Sequence, residues 1–533
     1  MHTSTNVERK PGPVPVLRSK SRFVLPLLLA ATVCLLYLPL AHYPFVQDDW
    51  ALLHEFTFRP VAALVLDILS PAGKLFYRPT GVLCSAIVYM FFGLNALGCH
   101  LISILLLGVA SFLLVYIAWH CTGDRRVAWG SGFIYAAAAN IHLDPQMWLV
   151  GIYDTGAGVC ALACIAAFLR NRERASAFWL AMALGCKESA LTLVFVLLAY
   201  GVLMEDHGAS IVPALGTLFR RIRLHAIVLA VYVACKAVGV SLFGFSPEHP
   251  YAARLFGGNI ADHVQLFAQW VLQALTPTKN IVFSGRSSLV FLTLASAVLV
   301  AVYIPVAMQL QKKGTDVRGP FRLILFLGAW GLLLLLPPVA LQNQILRYYL
   351  VIVLPPCAIG AMVVVKAAFH PFGRGARYLA MASAVLAAAN VIDGTLFIQR
   401  RISLGAREGI HSSGREGDNH LIRKASVVLA VWKPLLALIP SVPVRSVIIM
   451  EGVDTGTFAD RFGPQVWYRD STLRVTGIVP NPPDSSGVYR VALPPDDPWK
   501  YPVGPNIVTV PAARVFHVRY DEGAMELVHP VSP

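Results

Sequence analysis

Uncharged or nearly uncharged runs long enough to cross a bilayer recur along this chain, at 23–41, 97–119, 147–169, 224–243, 288–308, 323–341, 348–369 and 378–398. A membrane-spanning helix needs about 20 predominantly apolar residues, and these runs meet that length. Of the 533 residues, 56% are hydrophobic and only 14% are charged, with a mean hydropathy of +0.63. Such a composition lies outside the range of soluble globular domains, so most of the chain is expected to face lipid.

The charge balance, 44 Lys+Arg against 29 Asp+Glu, gives a formal +15, which in a soluble protein would raise the question of nucleic acid. Position answers it. Basic residues gather in short segments between the apolar runs: Arg18/Lys20/Arg22, Arg125/Arg126, Arg170/Arg172/Arg174, Arg220/Arg221/Arg223, Lys312/Lys313 and Arg374/Arg377. That is the pattern of cytoplasmic loops held against anionic headgroups, and it points to membrane lipids as partners and away from nucleic acid. The first run, 23–41, lacks a small-residue cleavage site and reads as a first transmembrane helix preceded by a cytoplasmic tail, 1–22. All 9 cysteines lie in the apolar two-thirds without a CxxC pair, as small buried hydrophobes do.

Two stretches need interpretation. The run 177–204 is interrupted by Lys187 and Glu188 yet has basic residues on both flanks. If both flanks are cytoplasmic, it goes out and back as two short helices with the Lys-Glu pair at the outer turn; a single long helix would leave a basic segment outside. The 14-residue apolar segment 80–93 is too short to span and reads as a helix lying in the outer interface. With a shorter span at 127–140, this gives about eleven crossings, every basic cluster inside, and everything after about residue 400 outside. Beyond that point charges, Pro and Gly rise. An amphipathic helix over 419–439 and short strands at Arg445–Met450, Val466–Tyr468 and Ile507–Val510 make a small α+β domain, 400–533, attached to a transmembrane domain, 23–399, whose first outer loop is 42–96.

The residues able to carry chemistry share the outer face in that topology. Asp48 and Asp49 follow the first span; a carboxylate there can take the proton of an acceptor hydroxyl as it attacks an anomeric carbon, and a helix N-cap with a neighbouring acid in the first turn also fits Asp-Asp-Trp. Arg78 closes the same loop, and snorkelling accounts for a lone Arg as well. The next loop brings His142 and Asp144, with Asp154 one to two turns into the following span, where an ionisable group faces a polar cavity or a helix partner. Lys187 and Glu188 read as a salt-bridged pair, or the Lys meets a phosphate. Arg347, entering a helix from outside ahead of Pro355-Pro356, suits a departing phosphate, and with Tyr348 and Tyr349 is also an ordinary interfacial anchor. A divalent metal at Asp48, Asp49 and His142 is left open on weak grounds. Neither a P-loop nor a GxGxxG loop occurs, which argues against a cytosolic nucleotide sugar, and no cofactor is required.

In this order the motifs resemble the GT-C superfamily of polyprenyl-phosphate-sugar-dependent glycosyltransferases, most closely the protein O-mannosyltransferases and the TPR-containing O-mannosyltransferases with their bacterial relatives. The matches are the Asp48-Asp49 pair; Tyr77-Arg78-Pro79 with Gly93, Asn95 and His100; His142-x-Asp144 followed by Trp148, Gly151 and Asp154; Cys186-Lys187-Glu188; and Arg347, Tyr348 and Pro355. The resemblance covers roughly 23–370. It implies an all-α polytopic GT-C-type membrane fold and inverting transfer of a mannose-like hexose from a polyprenyl phosphate to an extracytoplasmic protein, glycan or lipid hydroxyl. It implies Asp48 as base with Asp49 assisting, His142, Asp144 and Lys187 lining the sugar-phosphate pocket, and Arg347 on the carrier phosphate. The tail departs from those relatives, so the acceptor is not inherited. The absence of an N-x-Ser/Thr sequon and the Ala/Val/Arg-rich usage favour a bacterial inner membrane with a periplasmic site. The rival readings are a transporter or lipid flippase, in which Asp154, Lys187 and Asp393 would line a path, and a non-catalytic scaffold.

Overall fold

A computed structural model describes residues 23–205, 211–243, 260–281, 318–341, 345–369, 375–407, 420–493, 506–521 and 524–530. Among these the chain is an all-α polytopic bundle with a small carboxy-terminal sheet region. Six helices among the described residues are long and apolar enough to cross a membrane: α1 (Val24–Tyr37) with its 3-10 continuation Leu38–His42, α5 (Ala96–Thr122), α8 (Ile152–Leu169), α11 (Ile211–Phe243), α13 (Arg318–Val339), which follows the shorter α12 (Ile260–Leu275), and α15 (Gly375–Arg407). The expected run 288–308 lies outside the described residues, and the runs at 127–140 and 348–369 form shorter helices, α6 (Arg125–Ala136) and α14 (Leu354–Phe369).

The span expected at 147–169 starts five residues late. Pro145 lies in the short helix α7 (Ala139–Met147), and the chain turns through Trp148–Gly151 before α8. A Cβ on Gly151 would stand 2.4 Å from the Pro145 carbonyl oxygen, so only glycine lets the turn fold back this closely. Its helix α8 is the centre of the bundle, 94% of its spanning window being buried, and it packs against α5 and α9 (Glu173–Cys186).

The Lys187 region goes out and returns. Helix α9 ends at Cys186, a 3-10 turn follows at Glu188–Ala190, and α10 (Leu193–Met204) runs back. The two ends meet again: Arg221 of α11 is 3.6 Å from Glu173 and 2.5 Å from Glu205, and it donates to the Asn171 side chain at 2.9 Å. A continuous helix of this length would hold those ends about 45 Å apart. Arg170 reaches Tyr116, and Lys366 pairs with Asp124 beside Arg125 and Arg126, so the described basic clusters gather at one end of the bundle.

At the opposite end lie α2 (Asp48–Phe58), α3 (Val61–Leu69) and α4 (Pro79–Phe92). Helix α4 keeps to this end along its whole length: a Cβ on Gly185 would strike Thr80 Oγ1 at 2.2 Å, and Tyr89 exchanges a 3.0 Å hydrogen bond with Thr57. Close packing of small residues is what joins helices where lipid offers no hydrophobic gain.

The carboxy-terminal part comprises α16 (His420–Leu438), α17 (Phe462–Tyr468), a four-stranded sheet of order β2 (Arg474–Thr476), β1 (Val447–Glu451), β5 (Val515–Asp521), β6 (Ala524–Pro530), and an antiparallel pair β3 (Val488–Leu493) and β4 (Asn506–Pro511). Helix α15 runs to Arg407, past the expected boundary at 399, and Phe462–Tyr468 is a helix where 466–468 reads as a strand. Three apolar residues cannot define a period, and Pro464 inside the first turn is a helix-start signal. Strand β1 is parallel to β2 and β5 and buried on both faces. Ile448 and Met450 join the core shared with the bundle, while Val447 and Ile449 join a small core under β3 and β4.

Candidate active site at one end of the bundle

The first turn of α2 separates the two aspartates. Asp49 is fully buried, its Oδ2 accepting from the Val46 N–H at 3.2 Å and its Oδ1 from the Val150 N–H at 3.0 Å. It is a tie between the α1–α2 segment and the turn before α8. Desolvation pushes its pKa up to about 8 against the pull of those backbone donors. Asp48 is exposed, yet desolvation by the groups around it raises its carboxyl above the ordinary range; Lys424, Arg78 and His420 pull the other way. Gln47, immediately before, has φ 49° and ψ −123°, a conformation that side-chain-bearing residues avoid.

A second cluster lies beneath Arg78. Its guanidinium forks onto Glu188, Nε to Oε2 at 3.0 Å and Nη2 to Oε1 at 2.7 Å, and its face covers the Phe76 ring at 4.5 Å. Lys187 Nζ donates to Asp154 Oδ1 at 2.5 Å and sits 4.7 Å from the centres of both the Tyr348 and Tyr349 rings. The neighbours Lys187 and Glu188 therefore do not pair with each other as the sequence suggested; the extended backbone at Lys187 sends the two side chains to different partners. Lys236 of α11 donates to the Leu75 carbonyl and lies over Phe76 at 5.3 Å. The three cations line one cavity of about 280 Å³ together with Glu188 and Ser189, and its apolar walls include Val240, Pro337, Pro338 and Leu341. Among the described residues, Lys236 is the one cation of the three without a carboxylate within ion-pair distance.

Other expected site residues are elsewhere. His142 is fully buried, Nε2 3.0 Å from the Tyr135 carbonyl oxygen with its ring edge-on to Tyr37 and Tyr135; it is a core histidine, because the turn of α7 points it inward. Arg347 covers Trp270 at 5.2 Å and is not among the residues lining the cavity; Asp144 lies within electrostatic range of it and of His420. Among the described residues no group of three His, Cys, Asp or Glu could hold a metal ion, so Asp48, Asp49 and His142 do not form one. Asp393, the third acid of the transporter reading, pairs with the buried Lys279 at 3.5 Å, apart from Asp154 and Lys187. Lys236 is the site residue that sequence reading passed over. Its signal was present, as a lone cation inside the run 224–243.

No family model matches the chain, and no curated protein matches it. Among solved structures, ArnT from Cupriavidus metallidurans bound to undecaprenyl phosphate aligns with a TM-score of 0.51 at 14% identity, over 86% of this chain and 87% of that one. The apo state of the same protein gives 0.46 at 14% identity over the same shares. The archaeal oligosaccharyltransferase AglB from Archaeoglobus fulgidus, in complex with an inhibitory peptide and a dolichol-phosphate, gives 0.44 at 11% identity over 72% of this chain and 58% of that one. The ArnT likeness, at 14% identity, is one of fold.

Proposed function

We propose that the chain is a glycosyltransferase that takes a monosaccharide, a mannose-like hexose being the first to test, from a polyprenyl phosphate and gives it to a hydroxyl on the extracytoplasmic side, in a bacterial inner membrane. The observation that carries this is the cavity where Arg78, Lys187 and Lys236 converge beside apolar walls. Three cations and a proline-leucine wall suit a ligand that is a phosphate at one end and a hydrocarbon at the other. The ArnT structure of the same fold holds undecaprenyl phosphate, a ligand of that chemistry.

In the mechanism, Asp48 accepts the proton of the acceptor hydroxyl, whose oxygen attacks the anomeric carbon while the carbon–oxygen bond to the carrier phosphate breaks. The bond electrons leave with the phosphate. Their charge is met by Lys236 and by Arg78 and Lys187, which Glu188 and Asp154 hold in place. Arg78 also lies within electrostatic reach of Asp48, which links the two parts of the site. The single displacement inverts the sugar.

The test is transfer of radiolabelled sugar from polyprenyl-phosphate-sugar in membranes, comparing wild type with Asp48→Asn. Transfer that disappears in the variant supports the reading and labels the acceptor; transfer that persists gives the role of base to another group. A wild type inactive with each common sugar would sink the proposal.

A further inference from the structure

The turn that carries Asp48 is held from outside the bundle. The Gln47 N–H donates at 2.9 Å to the carbonyl of Thr457, which lies in a 3-10 turn of the carboxy-terminal part, Thr455–Phe458. Two residues beyond Asp48, the fully buried Trp50 stands edge-on to Trp432 of α16 at 5.8 Å and 86°, and to Trp467 of α17 at 5.4 Å and 88°. Trp432 and Trp467 are stacked on each other, 5.6 Å apart at 9°. Phe458 closes on Trp467 at 5.0 Å, and Tyr468 donates to the Ile439 carbonyl at 2.7 Å, fixing α17 against the end of α16. Among the described residues none of the three buried indole N–H groups has an acceptor, and ring packing holds this junction.

A residue with a side chain stays at φ 49° and ψ −123° only where its surroundings impose that geometry. Asp49 anchors one side of the Gln47 turn to Val150, and the contacts on the other side come from the carboxy-terminal part. We propose that this part is a positioning clamp on the active site, with Trp432 and Trp467 gripping Trp50 and Thr457 holding Gln47, so that the Asp48 carboxyl is aimed at the acceptor. The proposal rests on the reading of Asp48 as base. Trp50, Trp432, Trp467 and Gln47 are positioning residues, since they act through Asp48.

The experiment uses the full chain in lipid nanodiscs and reads three quantities: hydrogen exchange in the segment 44–50, whose amides begin at Phe45 after Pro44, kcat and KM of transfer, and binding of undecaprenyl phosphate. In Trp467→Ala, exchange at 44–50 is expected to rise and kcat to fall about a hundredfold, the scale of an ångström-sized misplacement, with undecaprenyl phosphate binding unchanged. Gln47→Val reaches the same turn without touching the carboxy-terminal core; a β-branched residue resists positive φ, so it should reproduce the fall in kcat. Trp467→Phe, which keeps a ring in place, should restore most of the rate. Unchanged exchange at 44–50 in Trp467→Ala overturns the clamp, as does raised exchange with a wild-type kcat. Loss of undecaprenyl phosphate binding in both variants overturns it too, because the effect would then be global. If wild type transfers no sugar, the functional reading fails, and the exchange result by itself decides whether the clamp exists.

Discussion

The two halves of the site are held by opposite means. Around the cavity, charged groups from distant segments are fixed by one another, Arg78 by Glu188 and Lys187 by Asp154, inside a bundle where an unmatched charge is costly. Around Asp48 the carboxyl itself has no ion pair within 4 Å among the described residues, and its position is set by backbone hydrogen bonds and stacked rings next to it. A phosphate site gains from rigid, preorganised cations. On the proposed reading, a general base at Asp48 has to stay accessible and free to change protonation, which a scaffold that grips its neighbours and leaves the group alone allows.

The division between the two halves is most exposed at Asp48. Asp48→Asn should lower transfer on the order of 10²–10⁴-fold with undecaprenyl phosphate binding kept; an equal loss of binding would erase the division between the halves. Next comes the buried pair. Lys187→Met leaves Asp154 uncompensated and should destabilise the protein by about 3–5 kcal/mol, and adding Asp154→Asn should recover much of that; thermal unfolding in detergent measures both. If the double variant is no better than the single, the pair is not what fixes the cavity.

Asp49 gives a smaller effect with a definite sign. Its carboxyl titrates near 8 folded and near 3.8 unfolded, so between those values the folded state binds the extra proton. Stability should therefore fall as pH rises from about 4 to 8, and Asp49→Asn should flatten that slope in melting temperature against pH. A slope unaltered in the variant would assign it to another group. The smallest effect is expected at Arg347: because it covers Trp270 and does not line the cavity, Arg347→Ala should leave undecaprenyl phosphate affinity unchanged. A marked loss there would restore the role that the sequence resemblance gave it.

Much of the bundle could be read from residue order, because lipid imposes a length on every span and the Arg/Lys clusters mark one face. The turn at Lys187 and Glu188 was legible for the same reason, and so was the presence of Asp48, Arg78 and Lys187 at a common end. What the residues did not disclose is which neighbour each would meet. Asp48 and Asp49 are identical in type, and only the turn at 148–151 decides that Asp49 is sealed and Asp48 open. Lys187 and Glu188 are adjacent in sequence but their partners are 33 and 110 residues away. His142 carries the same chemistry in a core as in a pocket. The tryptophans that join the carboxy-terminal part to α2 come from three segments with no common spacing, so no periodicity reveals them.

The knot at Arg221 has a consequence for biogenesis. Helices α9 and α10 have 14 and 12 residues, roughly 21 and 18 Å, against a hydrocarbon layer about 30 Å thick. Neither is a competent insertion signal by itself. The pair is expected to leave the translocon together, after α8 is in place to receive it and with Arg221 gathering Glu173 and Glu205 behind it. An insertion assay on α9 alone and on the α9–α10 pair would separate the cases, insertion of α9 alone counting against a joint exit. A substitution at Arg221, far from any reacting atom, should then lower the amount of protein made without altering what each assembled molecule can do.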